Sequence, residues 1–217
     1  MLTIETIPVT EFGQNARILW CSETKQGVVV DPGGEASKIL AIAKKLGVTI
    51  SQVWLTHSHL DHCGGVEPLL KELKVPLVAH PDEKMMRSNV KSIAEMYGMS
   101  PVEWHNCPEP EIEVRGGEAL TIGNCSCTVL FTPGHSPGHV SFYFPRDNVV
   151  ASGDVLFAGS IGRTDLPGGD TTTLLNAIKR EIFTLPAETR VLAGHGPDTT
   201  VETEIASNPF FNGAQYD

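Results

Sequence analysis

Residues 50–62, ISQVWLTHSHLDH, decide how this chain is read. The apolar, strand-like run from Ile50 to Leu55 passes without a break into Thr56-His57-Ser58-His59-Leu60-Asp61-His62. Side chains two apart on an extended segment share a side, so His57 and His59 project together. Asp61 and His62 then turn the chain and add a second pair of donors. A lone histidine is ordinarily a packing or surface residue. Three histidines and a carboxylate in H-x-H-x-D-H order at the end of a strand form a metal-ligand pattern.

Four other segments repeat the arrangement. His135 in Thr132-Pro133-Gly134-His135, Asp154 in Ser152-Gly153-Asp154, His195 in Ala193-Gly194-His195-Gly196 and Asp31 in Asp31-Pro32-Gly33-Gly34 each follow an apolar, strand-like run. Loops at strand ends gather function because the scaffold holds them still. His57, His59, Asp61, His62, His135, Asp154 and His195 make seven ligands. They are enough for two divalent ions that share Asp154, since a carboxylate can bridge two cations. Imidazole and carboxylate donors suit zinc first, with iron or manganese also compatible. Asp31 has a dual reading: it supports the turn and orients a ligand or water from behind.

The rest of the chain supplies the frame. It has 217 residues, 41% of them apolar and 19% charged, so a sizeable core is expected in one domain over residues 1–217. Gly 21 and Pro 15 together run above the ordinary share and point to many turns, hence a sheet-rich fold. Net charge −10 argues against nucleic acid or an anionic membrane as partner. The N-terminal stretch MLTIETIPVTEFGQN has neither a basic n-region nor an apolar h-region. No apolar run approaches the ~20 residues of a membrane span. Five cysteines without a CxxC pair fit buried free thiols, Cys125 and Cys127 among them. A cytoplasmic location is expected.

Strands are expected at 2–9, 16–22, 27–30, 50–55, 75–80, 119–123, 125–131, 139–144, 148–152 and 189–193. Helices are expected at 35–46, 65–73, 82–98, 171–183 and 199–206, with 99–118 as loop plus edge strand and 153–170 as loop. Each half reads as strands and then helix. That predicts an α+β fold, an αββα sandwich of two mixed sheets face to face with helices outside.

With order and spacing laid out, His57-Ser58-His59-Leu60-Asp61-His62, Gly134-His135, Gly153-Asp154 and Gly194-His195 resemble the metallo-β-lactamase superfamily over essentially the whole chain. The nearest-looking branch is the short, single-domain relatives of glyoxalase II. The resemblance implies a binuclear site at the sandwich edge. One metal falls to His57, His59, His135 and Asp154, and the other to Asp61, His62, His195 and Asp154. It implies a hydrolase of a small anionic thioester such as S-lactoylglutathione, with Asp61 orienting the nucleophile. The alternative is a persulfide dioxygenase with a single iron on His57, His135 and Asp154. The resemblance departs at the glutathione contacts. The family's Lys and Tyr are matched here by Arg163 and Asp165, and its Tyr after the last His by Pro197. A glutathione-gripping C-terminal helical domain is expected to have no counterpart.

Arg163 has two readings, a clamp for a substrate carboxylate and an ion pair with Asp165 or Asp170. His139 reads as the start of a buried strand whose loss costs little. His80 and His105 read as structural, and Cys63 as packing beneath its helix. Met85, Met86, Met96, Tyr97 and Met99 read as one face of a covering helix.

Overall fold

The computed structural model describes residues 1–100 and 104–212. Strand β2 (Gln14–Cys21) shows what shapes the architecture, for it is buried along its whole length. Leu19 and Cys21 turn into one core, and Ala16, Ile18 and Trp20 into another. A strand apolar on both faces must be covered on both.

The first sheet holds six strands in sequence order: β1 (Leu2–Val9), β2, β3 (Gln26–Val30), β4 (Thr49–Trp54), β5 (Leu77–Ala79) and β6 (Ile112–Glu113). The first three are antiparallel and the last four parallel. The second sheet uses β7 (Ala119–Ile122), β8 (Cys125–Phe131), β9 (Val140–Phe144), β10 (Val149–Gly153), β13 (Arg190–Ala193) and β14 (Thr199–Thr200). Its order is β14-β13-β10-β9-β8-β7, and β10 and β13 run parallel.

Between the sheets, Leu19, Val28, Val30, Trp54 and Val78 meet Ile122, Val129, Phe142, Phe144 and Leu192. The Trp54 ring lies 4.8 Å from that of Phe142 and 6.3 Å from that of Phe144. Burying each such side chain contributes roughly 2–3 kcal/mol. The outer face of the first sheet is covered by α1 (Ala36–Leu46), α2 (Leu60–Cys63), α3 (Val66–Leu73) and α5 (Val90–Met96). That of the second is covered by α6 (Thr171–Ala177), the π-helical turn 178–182 and α7 (Val201–Ser207). The expected αββα sandwich is the observed fold. No helix among the described residues is long and apolar enough to cross a membrane.

Several elements differ from expectation for local reasons. The helix expected over 82–98 breaks into a 3-10 turn at Pro81–Glu83, α4 (Lys84–Arg87) and α5. Continuity would need the Lys91 N–H on the Arg87 carbonyl. Instead Asn106 Oδ1 takes that N–H at 2.9 Å, and the Cys107 N–H donates to the Arg87 carbonyl at 2.9 Å. The methionine face does not form: Met85, Met96 and Tyr97 are exposed, while Met99 packs on the core. The 153–170 loop contains a short hairpin, β11 (Leu156–Phe157) with β12 (Ser160–Ile161). The cap of α6 is Asp170, whose Oδ1 accepts the Thr173 N–H at 2.7 Å. The tail forms a further turn of helix, α8 (Pro209–Asn212). Of the 99–118 loop, residues 101–103 lie outside the described residues, as does the tail beyond 212.

Strand direction places the chemistry. β3 and β4 are parallel, and so are β10 and β13. Through antiparallel β9, β8 runs the same way as β10. Their C-terminal ends therefore carry Asp31, the 57–62 segment, His135, Asp154 and His195 to one edge of the sandwich.

Candidate metal centre

The seven residues expected as ligands converge at that edge in two clusters. Ligand atoms of His57, His59 and His135 all lie within 4.8 Å of one another, as do those of Asp61, His62 and His195. The two clusters meet at Asp154. Its Oδ1 lies 3.3 Å from His62 Nε2, and its Oδ2 lies 3.7 Å from His135 Nε2 and 3.5 Å from His195 Nε2. His195 Nε2 also reaches Asp61 Oδ2 at 3.1 Å. His57, His62, His135 and Asp154 are buried; Asp61 and His195 form the more open side.

The hydrogen-bond partners fix which ring nitrogen is free. His135 Nδ1 donates to the Arg163 carbonyl at 2.7 Å. His62 Nδ1 donates to Asp31 Oδ2 at 3.0 Å. The Thr56 hydroxyl donates to the same Asp31 Oδ2 at 2.6 Å, so it accepts from His57 Nδ1 at 3.1 Å. With the protons on Nδ1, the three Nε2 lone pairs point inward. His57 Nε2 and His135 Nε2 then face each other at 3.2 Å with no proton between them. His59 Nε2, His62 Nε2 and Asp154 Oδ1 are buried without a hydrogen-bond partner. Buried acceptors left facing one another are costly, and a divalent cation in each cluster satisfies them. The donor set fits two such ions.

Charge follows the same division. Burial, then His62 and His59, holds His57 well below the ordinary imidazole range; burial and His135 bring His59 to about 3. Burial lowers His135 as well, against the pull of Asp154. Burial also opposes charge on His62, but Asp154 and Asp61 outweigh it and raise the pKa well above its usual value. His195 is raised too, against burial, by its bond to Asp61 and by Asp154. Burial disfavours ionised Asp154, yet His62 and His135 keep it well below the carboxylate range. The first cluster thus offers neutral imidazoles, the form a metal binds.

The Asp31 side chain turns to Thr56 and His62. Its Oδ1 accepts the Thr56 N–H at 2.7 Å while Oδ2 holds His62. Its φ of 50° is left-handed, a strained value for a non-glycine residue. Gly153, at φ 51°, closes on Thr56 and His139, so any side chain there would collide. The Arg163 guanidinium forks onto Asp165 at 2.7 and 2.8 Å in an exposed pair. Only its carbonyl touches the centre. Cys63 Sγ donates to the Ser58 carbonyl at 3.4 Å, a packing role. His80 caps the 81–83 turn, and His105 lies 3.5 Å from Glu67.

Other supports were not anticipated. His139 is fully buried, with Nδ1 on Thr132 Oγ1 at 3.0 Å and Nε2 accepting the Asp154 N–H at 3.3 Å. It anchors the Asp154 backbone and does more than begin a strand. On β2, the Asn15 side chain donates to the Ala193 and Gly196 carbonyls at 3.1 and 2.9 Å. Arg17, also buried, donates to the Ala193 carbonyl at 2.8 Å and to Asp198 at 2.6 Å. Together they fix the His195 loop. The signal was present: Gln14-Asn15-Ala16-Arg17 is a polar start to a wholly buried strand.

A sandwich with this ligand edge defines a metallo-hydrolase class, and residues 9–195 match the metallo-beta-lactamase superfamily. The chain belongs to that superfamily. It is 41% identical over 210 residues to the probable metallo-hydrolase YqgX of Bacillus subtilis, covering 95% of this chain and 96% of that one. It is 35% identical to the hydroxyacylglutathione hydrolase GloC of Haemophilus influenzae, covering 97% and 99%. Among solved structures, BLEG-1 B3 metallo-β-lactamase superposes with TM-score 0.88 at 37% identity, covering 97% of this chain and 100% of that one. TTHA1623 in a di-iron-bound form gives 0.86 at 38%, covering 95% and 99%.

Proposed function

We propose that this chain is a binuclear hydrolase of a small anionic thioester, S-lactoylglutathione or a related acyl-thiol. The observation that carries the reading is the pair of three-residue clusters straddled by Asp154, with buried acceptors that lack protons. His57, His59, His135 and Asp154 would hold one ion; Asp61, His62, His195 and Asp154 the other. Zinc suits the donors, and the di-iron relative makes iron an equal candidate for measurement. Bound divalent ions supply Lewis acidity toward a carbonyl oxygen and ease the ionisation of water.

The chain's own groups do the rest. Asp31, Thr56 and the Arg163 carbonyl hold the imidazole protons on Nδ1, which keeps each Nε2 a donor of electron pairs. Asp61, on the open side and 3.1 Å from His195, orients the attacking water. Two divalent charges against Asp61, Asp154 and hydroxide leave roughly one positive charge, which draws an anionic substrate despite the acidic surface. A single domain and a cytoplasmic location belong to the same reading. The five free, buried cysteines support it.

The single-iron dioxygenase alternative uses His57, His135 and Asp154, and leaves the Asp61–His62–His195 cluster without a purpose. The test is turnover of S-lactoylglutathione by metal-loaded protein, beside a β-lactam and oxygen uptake with glutathione persulfide. Thioester turnover above both comparisons is the expected result. Persulfide-dependent oxygen uptake or β-lactam hydrolysis without thioester turnover overturns the reading.

A further inference from the structure

One buried carboxylate takes no part in the arrangement above. Glu83 is 1% exposed and lies on neither ligand loop. Its Oε2 accepts the Ser58 N–H at 2.8 Å, and its Oε1 accepts the Gly138 N–H at 2.7 Å. Ser58 stands between His57 and His59 in the loop leaving the first sheet. Gly138 stands between His135 and His139 in the second sheet's β8–β9 connection.

We propose that Glu83 is a positioning residue that sets the separation of the His57–His59 pair from His135. In doing so it tunes the affinity of the ion those three hold; the inference rests on the ligand reading above. Two N–H donors converge on opposite ends of one side chain. A carboxylate offers an acceptor at both ends, whereas an amide of the same length turns an NH2 group toward one of them. Burying a carboxylate is costly unless it is fully hydrogen-bonded, so a merely space-filling role would favour an apolar residue.

The surrounding turn is built to deliver this side chain. Pro81 opens it, His80 Nδ1 accepts the Asp82 N–H at 3.1 Å, and buried Arg87 donates to the His80 carbonyl at 2.7 Å. Position 138 must be glycine for the approach, since a Cβ there would lie 2.9 Å from Glu83 Cγ and 2.6 Å from His80 Nδ1. The turn also continues directly into α4, which carries exposed Met85.

The test is a zinc titration of metal-free wild type, Glu83→Gln and the core control Leu69→Ala against a chromophoric chelator, with thermal melts of each metal-free protein. Wild type is expected to take up two zinc ions. Glu83→Gln should bind one of them about 10–100-fold more weakly, the range for losing a group that orients a ligand, and hold the other nearly as wild type does. Leu69→Ala should melt lower with both affinities unchanged. If Glu83→Gln fails to fold, Glu83→Asp, one methylene too short to reach both loops, gives the same reading. Unchanged affinity in the Glu83 variant, or an equal loss in Leu69→Ala, overturns the inference. Wild type that binds no zinc overturns the ligand reading together with it, whereas two tight sites in wild type and Glu83→Gln alike overturn this inference alone.

Discussion

Replacing His139 by alanine probes how the backbone at Asp154 is held. The imidazole is fully buried, and its Nε2 is the acceptor for the Asp154 N–H at 3.3 Å. Its Nδ1 therefore carries the proton and donates to Thr132 Oγ1 at 3.0 Å, and that hydroxyl turns to Ser141 Oγ at 2.9 Å. Alanine leaves the Asp154 N–H buried without an acceptor, a cost of about 1–3 kcal/mol. It also empties a ring-sized volume stacked 4.9 Å from His57, and truncations of this size cost ~2–5 kcal/mol. The two effects overlap where water enters, so a total of about 3–5 kcal/mol is expected, well beyond the modest loss the sequence alone suggests. Urea unfolding of the metal-free protein measures it. With a slope of ~2 kcal/mol per molar, the midpoint should fall by ~1.5–2.5 M. A loss under about 1 kcal/mol refutes the claim that His139 holds Asp154 from behind.

Asp31→Asn should weaken zinc held by the Asp61–His62–His195 cluster by about 10–100-fold, because the amide no longer fixes the His62 proton on Nδ1; unchanged chelator competition rules this out. In the metal-free protein His57, His59, His135 and His139 have lowered pKa values, with His59 near 3, so they take up protons more readily unfolded. Their contribution is lost as pH falls from the unfolded value of 6.5 toward those folded values. His62 and His195, raised, act oppositely: their stabilisation is present below 6.5 and lost as pH rises through their folded values. Burial lowers His80 in the same way, so five groups against two predict a lower melting temperature at pH 5 than at pH 7.5, and a higher one contradicts the assignment. Arg163→Ala should change stability by no more than ~0.5 kcal/mol, since its pair with Asp165 is exposed. If its guanidinium serves the thiol moiety, KM should rise several-fold for S-lactoylglutathione and not for a short thioester; parallel responses exclude that role. Asp170→Ala should cost ~1 kcal/mol by removing the α6 cap, and an unshifted unfolding midpoint would show that one of the following threonines takes over.

How much was legible depended on the range of the interaction. The αββα layering was readable because each half of the chain reads as apolar strands and then helix, GVVV at 27–30 being the plainest of the strands. The seven candidate ligands were readable because four fall in one H-x-H-x-D-H run at a strand end and His135, Asp154 and His195 each follow a glycine at another, so local sequence carries both the donor and its placement. The helix over 82–98 was misread because its ladder is broken by Asn106 and Cys107, which local periodicity does not register. The Arg163–Asp165 fork was among the readings the sequence offered, but only the tertiary structure shows that the Arg163 carbonyl, not its guanidinium, reaches His135. His139, Glu83, Asn15 and Arg17 escaped for the same reason. Their partners lie 15, 25, 55, 178 and 181 residues away along the chain. The sequence by itself determined which donors exist and which strand end bears each. Only the packing of two sheets decided that the donors face one another across Asp154, because a buried polar group is oriented by whichever distant partner the fold brings within hydrogen-bond reach.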